Sequence, residues 1–366
     1  MMKQFILILL GLMLMGTAHS QDEEKLTVKP SGRILMDAGA FHADHYNDKF
    51  NDGVAIPDVR IGFGAQYGKW KSKVDVGFAY AKISLKDIFM EYVFNKENLL
   101  RGGYFVHQFG LQSATSSSFK ITMEEPASNQ AFFNSRLVGL MFLHNKGKFF
   151  GTLSLFAESE AMKQSTDKLG NEGYGMMSRL VYRPLRDPGK ILHIGLSGAF
   201  ESPRYSAKPE DNHRSYALKS EFPTRIARVA AQQADITEAK MLYKFTPEVM
   251  AAIGRLAIES QYFFVTVNRE KDLPRYQASG AYALLRGLVK GNGYVYSDGD
   301  SGIGTPAPGS MELVLGYNYT DLSDHKARIL GGRVNDWSLT FNYYPNKYMI
   351  WRVRGSLTKA TDRAGY

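Results

Sequence analysis

The feature that most constrains this chain is an apolar–polar alternation of period two that recurs along nearly its whole length. In Ile56–Tyr67, the residues Val59, Ile61, Phe63, Ala65 and Tyr67 share one parity, and Arg60, Gly62, Gly64 and Gln66 share the other. After Gly68 the pattern resumes, with Val74, Val76, Phe78 and Tyr80 opposite Lys71, Lys73, Asp75, Gly77 and Ala79. Successive side chains of a strand point to opposite faces, so each segment reads as a strand with one apolar and one wet face. In a soluble sandwich the apolar face turns inward; in a membrane barrel it turns out to lipid.

Composition separates the two pictures. The chain has no cysteine, which removes disulfides, thiolate metal sites and cysteine nucleophiles together. Aromatic residues make up 13% and charged residues 22%, a mixture that suits strands alternating between lipid and water. No window approaches eighteen consecutive apolar residues, so no transmembrane helix is expected. At the N-terminus, Lys3 precedes the apolar run Phe5–Met15, and Ala18 and Ser20 supply a small-residue cleavage pattern. Residues 1–20 are therefore expected to be a signal peptide, with the mature chain beginning at Gln21. The formal charge is +9. Export and the scatter of the basic residues through the strands point away from nucleic acid and toward anionic lipid or anionic solutes.

Fifteen segments carry the strand pattern. They are Arg33–Phe41, Ile56–Tyr67, Trp70–Ala81, Ser84–Phe94, Leu100–Gly110, Arg136–Asn145, Phe149–Ser159 and Gly173–Pro184 in the first half. Lys190–Phe200, Ile236–Phe245, Ala252–Asn268, Tyr276–Leu288, Met311–Thr320, Arg333–Tyr344 and Tyr348–Thr358 complete the set. Thr246-Pro247-Glu248 reads as a turn, Ile226–Gln233 as a short helix within the irregular stretch Glu201–Ala234, and Thr361–Tyr366 as a loop. Short turns alternate with longer loops, and no composition shift divides the chain. The expected fold is all-β: one transmembrane antiparallel β-barrel over residues 21–366. Bacterial barrels have even strand numbers, so about sixteen strands are expected, with the last missing from this sequence.

The order of short motifs resembles the phosphate- and polyphosphate-selective porins, the porin O/P family, in its Bacteroidetes version. The motifs begin with Gly32-Arg33-Ile34-Leu35-Met36-Asp37, Val59-Arg60-Ile61-Gly62, Trp70-Lys71-Ser72-Lys73-Val74-Asp75 and Ser84-Leu85-Lys86-Asp87. Gly103-Tyr104-Phe105, followed by Phe109-Gly110-Leu111 and Thr115-Ser116-Ser117, looks like the strand that enters the family's inward-folded third loop. Met311-Glu312-Leu313, Tyr317-Asn318-Tyr319 and Gly331-Gly332-Arg333 resemble late strands. The resemblance implies a homotrimeric outer-membrane barrel in a Gram-negative cell, with that loop narrowing the lumen near residues 111–135.

A pore needs no catalytic group and no cofactor; it needs a wet lumen, a constriction and charges that favour one ion sign. A cation facing lipid at mid-depth costs about 2–4 kcal/mol, which turns the strand cations inward. Arg60, Lys71, Lys73, Arg101 and Arg179 are therefore expected to line the lumen, with Lys120 and Arg136 flanking the constriction loop. Guanidinium groups offer oxyanions such as phosphate a planar fork of donors. Ser113, Thr115, Ser116, Ser117 and Ser118 would add hydroxyl donors. His42, His45, Asp44 and Asp52 fit no metal-ligand spacing and read as a solvated loop. Tyr67, Trp70, Tyr80, Tyr92, Tyr319, Tyr344, Tyr348 and Trp351 are expected at the membrane interfaces. The competing readings are a non-selective diffusion pore, a barrel enzyme without a recognisable catalytic set, and a non-conducting barrel whose long loops bind ligands.

Overall fold

The computed structural model describes residues 25–45, 49–114, 120–133, 135–157, 173–203, 214–299 and 301–363. Its strands are β1 Thr27–Gly39, β2 Gly53–Tyr67, β3 Trp70–Gly77, β4 Ser84–Val93, β5 Asn98–Val106, β6 Arg136–Lys146 and β7 Phe149–Ala157. The next are β8 Tyr174–Asp187, β9 Lys190–Ser202, β10 Ser215–Glu221, β11 Ala230–Thr237, β12 Ala239–Ile253 and β13 Leu256–Arg269. β14 Tyr276–Lys290, β15 Tyr296–Ser297, β16 Gly302–Ile303, β17 Ser310–Asp324, β18 Ile329–Asn346 and β19 Met349–Arg363 follow. Two short helices, α1 Leu111–Ala114 and α2 Ala127–Phe132, lie between β5 and β6.

Fifteen strands form one antiparallel sheet in chain order, with β10–β11 and β15–β16 set apart as two small hairpins. These fifteen match the segments expected from the alternation one for one. β1 and β19 are the edges of the sheet. Asp37 on β1 lies within electrostatic reach of Arg352 on β19, so the wall curls until its edges face each other. Short turns such as Gly68-Lys69, Gly147-Lys148 and Gly254-Arg255 mark one end of the barrel, and the long connections 40–52, 107–135 and 203–238 mark the other.

Outward positions are apolar and exposed, including Ile61, Leu180, Leu196, Leu315, Trp337 and Leu357. Aromatic residues gather near the turn end. Trp70 meets Tyr92 edge-on at 4.9 Å, Phe149 lies 5.3 Å from Tyr182, and Tyr67, Tyr348 and Trp351 are exposed. Tyr344 departs from the expected girdle: it is buried, and its hydroxyl donates to Glu312 at 2.7 Å inside the barrel.

Three further expectations are corrected. Thr246-Pro247-Glu248 is no turn but the middle of β12, paired with Ser197, Leu196 and Gly195 of β9. Pro247 faces outward, where its ring meets no core, while Glu248 points inward to a buried Arg179; that ion pair outweighs the turn tendency of proline. Residues 225–227 form a turn, and Ala230 onward pairs with β10 rather than forming a helix. There the alternation Gln232, Ala234 and Ile236 buries one face of β11 against the barrel interior. Finally, Thr361 and Arg363 are bonded into β19 opposite Arg333 and Gly331, because β18 extends far enough to template them.

A charge placed on the lipid face should be costly at mid-strand. Leu180→Arg, near the centre of β8 and 63% exposed, is expected to destabilise the folded barrel by about 2–4 kcal/mol, read as a lower urea midpoint in lipid.

Candidate functional site

The lumen is filled unevenly. From the loop end, the β5–β6 connection turns inward and crosses the barrel. The backbone N–H of Gly110 donates to Ser197 on β9 at 3.1 Å, and that of Leu111 donates to Gln261 on β13 at 3.1 Å. Gly110 has φ +83°, and a Cβ there would come within 2.0 Å of Gln261 Nε2, so this crossing requires glycine. Farther along, Ser128 donates to Asn318 on β17, Asn342 on β18 donates to the Ile121 carbonyl, and Arg354 on β19 donates to the Thr122 carbonyl. The β10–β11 hairpin also lies inside. Fully buried Gln232 donates to the carbonyls of Thr320 and Gly332. Phe132 of α2 stacks on Phe263 of β13 at 5.8 Å within an apolar cluster that includes Phe109, Ile236 and Leu322.

From the turn end, the connection between β14 and β17, which contains β15 and β16, folds inward as well. Tyr296 Oη lies 2.8 Å from His193 Nδ1, and Arg183 and Arg179 donate to the Ser301 hydroxyl and carbonyl. Tyr294 donates to Glu312, which also accepts from Arg286. The inward faces of β8, β9, β12–β14, β17 and β18 are consequently buried over most of their length, and most of their charged groups are paired with one another or with these insertions.

The inward faces of β1–β5 remain partly open, and they carry charge. Asp58 bridges Arg33 and Arg60, the latter at 2.8 Å. Lys73 lies 2.8 Å from Asp75 and 3.6 Å from Asp87, and Asp87 also accepts from Arg136 Nε at 2.7 Å. Arg101 is held by Glu91 and stacks over Phe89 at 4.2 Å. Lys86 lies across Gly77, where a Cβ would come within 2.5 Å of Lys86 Cε, and stands within electrostatic reach of Arg33, Arg60 and Arg136. Among the described residues, Lys71 and Lys86 have no ion-pair partner. On this wall and at the start of the adjoining β6, Arg33, Arg60, Lys71, Lys73, Lys86, Arg101 and Arg136 outnumber Asp37, Asp58, Asp75, Asp87 and Glu91.

A barrel with an interior charged in this way is matched by one family model, phosphate-selective porin O and P, over residues 28–358. The chain belongs to this family. Solved structures agree on the fold of the porin. A loop-deleted form of OmpT from Vibrio cholerae superposes with a TM-score of 0.56 at 12% identity, covering 93% of this chain and 95% of that one. The anion-selective porin of Comamonas acidovorans gives a TM-score of 0.56 at 12% identity, covering 92% and 90%. OmpT folded in vitro, in its trimer form, gives 0.55 at 11% identity, covering 92% and 90%. Curated protein sequences offer no match. Family and fold together place the porin in the outer membrane of a Gram-negative cell.

The residues nominated from sequence fall into three groups. Arg60, Lys71, Lys73, Arg101 and Arg136 share the partly open wall. Arg179 does not; it is 0% exposed and bound to Glu248 at 2.6 Å, with His193 at 2.8 Å on the same carboxylate. Lys120 is 3% exposed and donates to the carbonyl and side chain of Gln112, with Glu125 at 3.2 Å. It ties the loop together where an accessible cation was expected. Ser113 accepts from the Phe109 N–H and donates to the Gly110 carbonyl, shaping the loop's entry. Thr115, Ser116, Ser117 and Ser118 lie outside the described residues.

Sequence reasoning missed Lys86, Arg225, Arg352 and Arg354. For β19 the signal was present, since Trp351, Val353 and Leu357 alternate with Arg352, Arg354 and Thr358. Arg225 lay in a stretch without periodicity. The two kinds of cation should separate on mutation. Glu248→Ala strands a buried guanidinium and is expected to cost about 3–5 kcal/mol in thermal or urea unfolding. Lys71→Ala, at an exposed site, is expected to cost under about 1 kcal/mol.

Proposed function

We propose that this porin lets small hydrophilic anions, phosphate-type oxyanions among them, diffuse passively along the part of the lumen bounded by β1–β5 and β19. The observation that carries this reading is the surplus of cations on the stretch of wall that, among the described residues, the insertions leave partly open. Cations surrounding a water path raise the local anion concentration and repel co-ions, with no reaction required. The order of the charges along the strands suits transfer. Lys86, Arg136, Arg33 and Arg60 lie toward the loop end, Lys73 lies below them, and Lys71 and Arg101 lie toward the turn end. Carboxylates beside most of these cations keep each site shallow, so that an anion entering also leaves.

The Comamonas porin of the same fold is described as anion-selective, and one OmpT structure as a trimer. Anion preference and a homotrimer are proposed here on that analogy and on the family. We also propose that the N-terminal segment is removed on export and that outer-membrane lipid surrounds the apolar belt.

Reversal potential in a planar bilayer under a potassium chloride gradient tests the reading. Anion preference is expected, with phosphate reducing the chloride current. Lys86→Glu is expected to shift the reversal potential toward the cation side. A wild-type channel with no ion preference would leave a general diffusion pore, and a folded protein with no conductance would sink the channel reading.

A further inference from the structure

The turn joining β10 to β11 reaches along the loop-end mouth from the β17–β18 side past the facing β19 and β1 edges. Beside this turn, Gln232 is bonded to the β17 and β18 backbones, and the Glu221 N–H donates to Gln130 of α2 at 2.9 Å. At its tip, the contacts are to the connections that follow β1, β3 and β5. Phe222 meets Phe50 of the β1–β2 connection edge-on at 5.1 Å, and Ile226 packs over Gly39 and Gly53. The Tyr80 hydroxyl, from the β3–β4 connection, donates to the Arg225 carbonyl at 2.7 Å, and Arg228 lies over the Tyr80 ring at 4.9 Å. Arg225 itself donates through Nε to Glu124 of the β5–β6 loop at 2.9 Å. One residue thus joins three separate connections.

The charges around this junction oppose one another. Asp37 of β1 faces Arg225 and Arg352, while Glu124 lies within reach of Asp37 and of Arg354. The Glu124 side chain is 8% exposed and that of Arg225 22%, so the guanidinium covers the carboxylate on the side nearer water.

We infer that Arg225 is a specificity-determining residue of this porin: it clasps the tip of the β10–β11 hairpin to the β5–β6 loop at the mouth and masks the carboxylates of Glu124 and Asp37 from passing anions. The inference rests on the channel reading above. An ion pair is the strongest directional contact at the tip; beside it stand one aromatic edge, the stacking of Arg228 on Tyr80, the apolar packing of Ile226 and a single neutral hydrogen bond. Removing Arg225 frees the tip and exposes two negative charges beside the path at once. Removing only the charge of Glu124 frees the clasp but leaves a cation there.

Single-channel recordings of the full-length protein separate these effects. Arg225→Ala is expected to raise conductance and to shift the reversal potential toward the cation side. Glu124→Gln is expected to raise conductance and to shift the reversal potential the opposite way. The chain lacks cysteine, so Phe50→Cys with Phe222→Cys supplies a unique thiol pair for a short bifunctional thiol reagent. Cross-linking that pair in the Arg225→Ala background is expected to return conductance to the wild-type level while the selectivity shift remains. Wild-type conductance and reversal potential in both Arg225→Ala and Glu124→Gln would overturn the inference. So would a cross-link that leaves the enlarged conductance unchanged. A silent wild-type protein would instead remove the channel reading on which it depends.

Discussion

Every peptide group that crosses hydrocarbon must find its hydrogen-bond partner within the protein, because no water is available there. The fifteen-stranded sheet meets this demand for every strand between β1 and β19 through ladders between successive strands, and the remaining features follow from it. A sheet that separates lipid from water has two faces of opposite chemistry, and the strand period of two assigns residues to them. Ile61 and Phe63 then belong outside, and Arg60 and Gly62 inside, with no tertiary contact needed to say so. The same ladder explains how Pro247 can sit within β12: its neighbours hold the register on both sides, and its outward ring disturbs no core.

What the ladder does not dictate is the content of the interior. Three connections fold inward, and each brings apolar or complementary groups that bury one side of the lumen. Most buried charges there are paired, as in Arg179 with Glu248 and Arg286 with Glu312, while Glu259 accepts hydrogen bonds from Gln112 and Tyr282. Such pairs gain from low surrounding polarity only when both members are present, so they hold insertions against the wall and are unsuited to exchanging ions with water. The cations on β1–β5 have nearby carboxylates but keep access to solvent, and Lys86 shares its surroundings with three like charges and Asp58. The same residue type therefore does opposite work on the two sides of one barrel. Burial decides which.

The loop-end mouth shows a further use of pairing. Burial pushes the Glu124 carboxyl above its ordinary range, with Arg225 acting against that shift. A carboxylate covered in this way contributes little to the field felt by an anion. A masked acid beside a partly open basic wall is the arrangement on which the proposed anion preference rests.

Much of this was legible in the sequence, and the limits are instructive. Alternation located all fifteen strands, because the pattern is set by each strand's own neighbours and by two solvents that differ sharply. It also placed Arg60, Lys73 and Arg101 on the inward face, and motif order pointed to the family. It failed where contacts distant in the chain intervene. Pro247 lies in a strand because Glu248 meets Arg179, 69 residues away in sequence. Tyr344 left the interfacial girdle for Glu312, and Lys120 and Arg179 turned from expected pore residues into buried ties. By itself the sequence determined the barrel and which face of each strand is wet, since both follow from local periodicity. Only the tertiary structure decided which inward charges meet water, because that depends on where three long connections fold, and their packing partners lie on strands far along the chain.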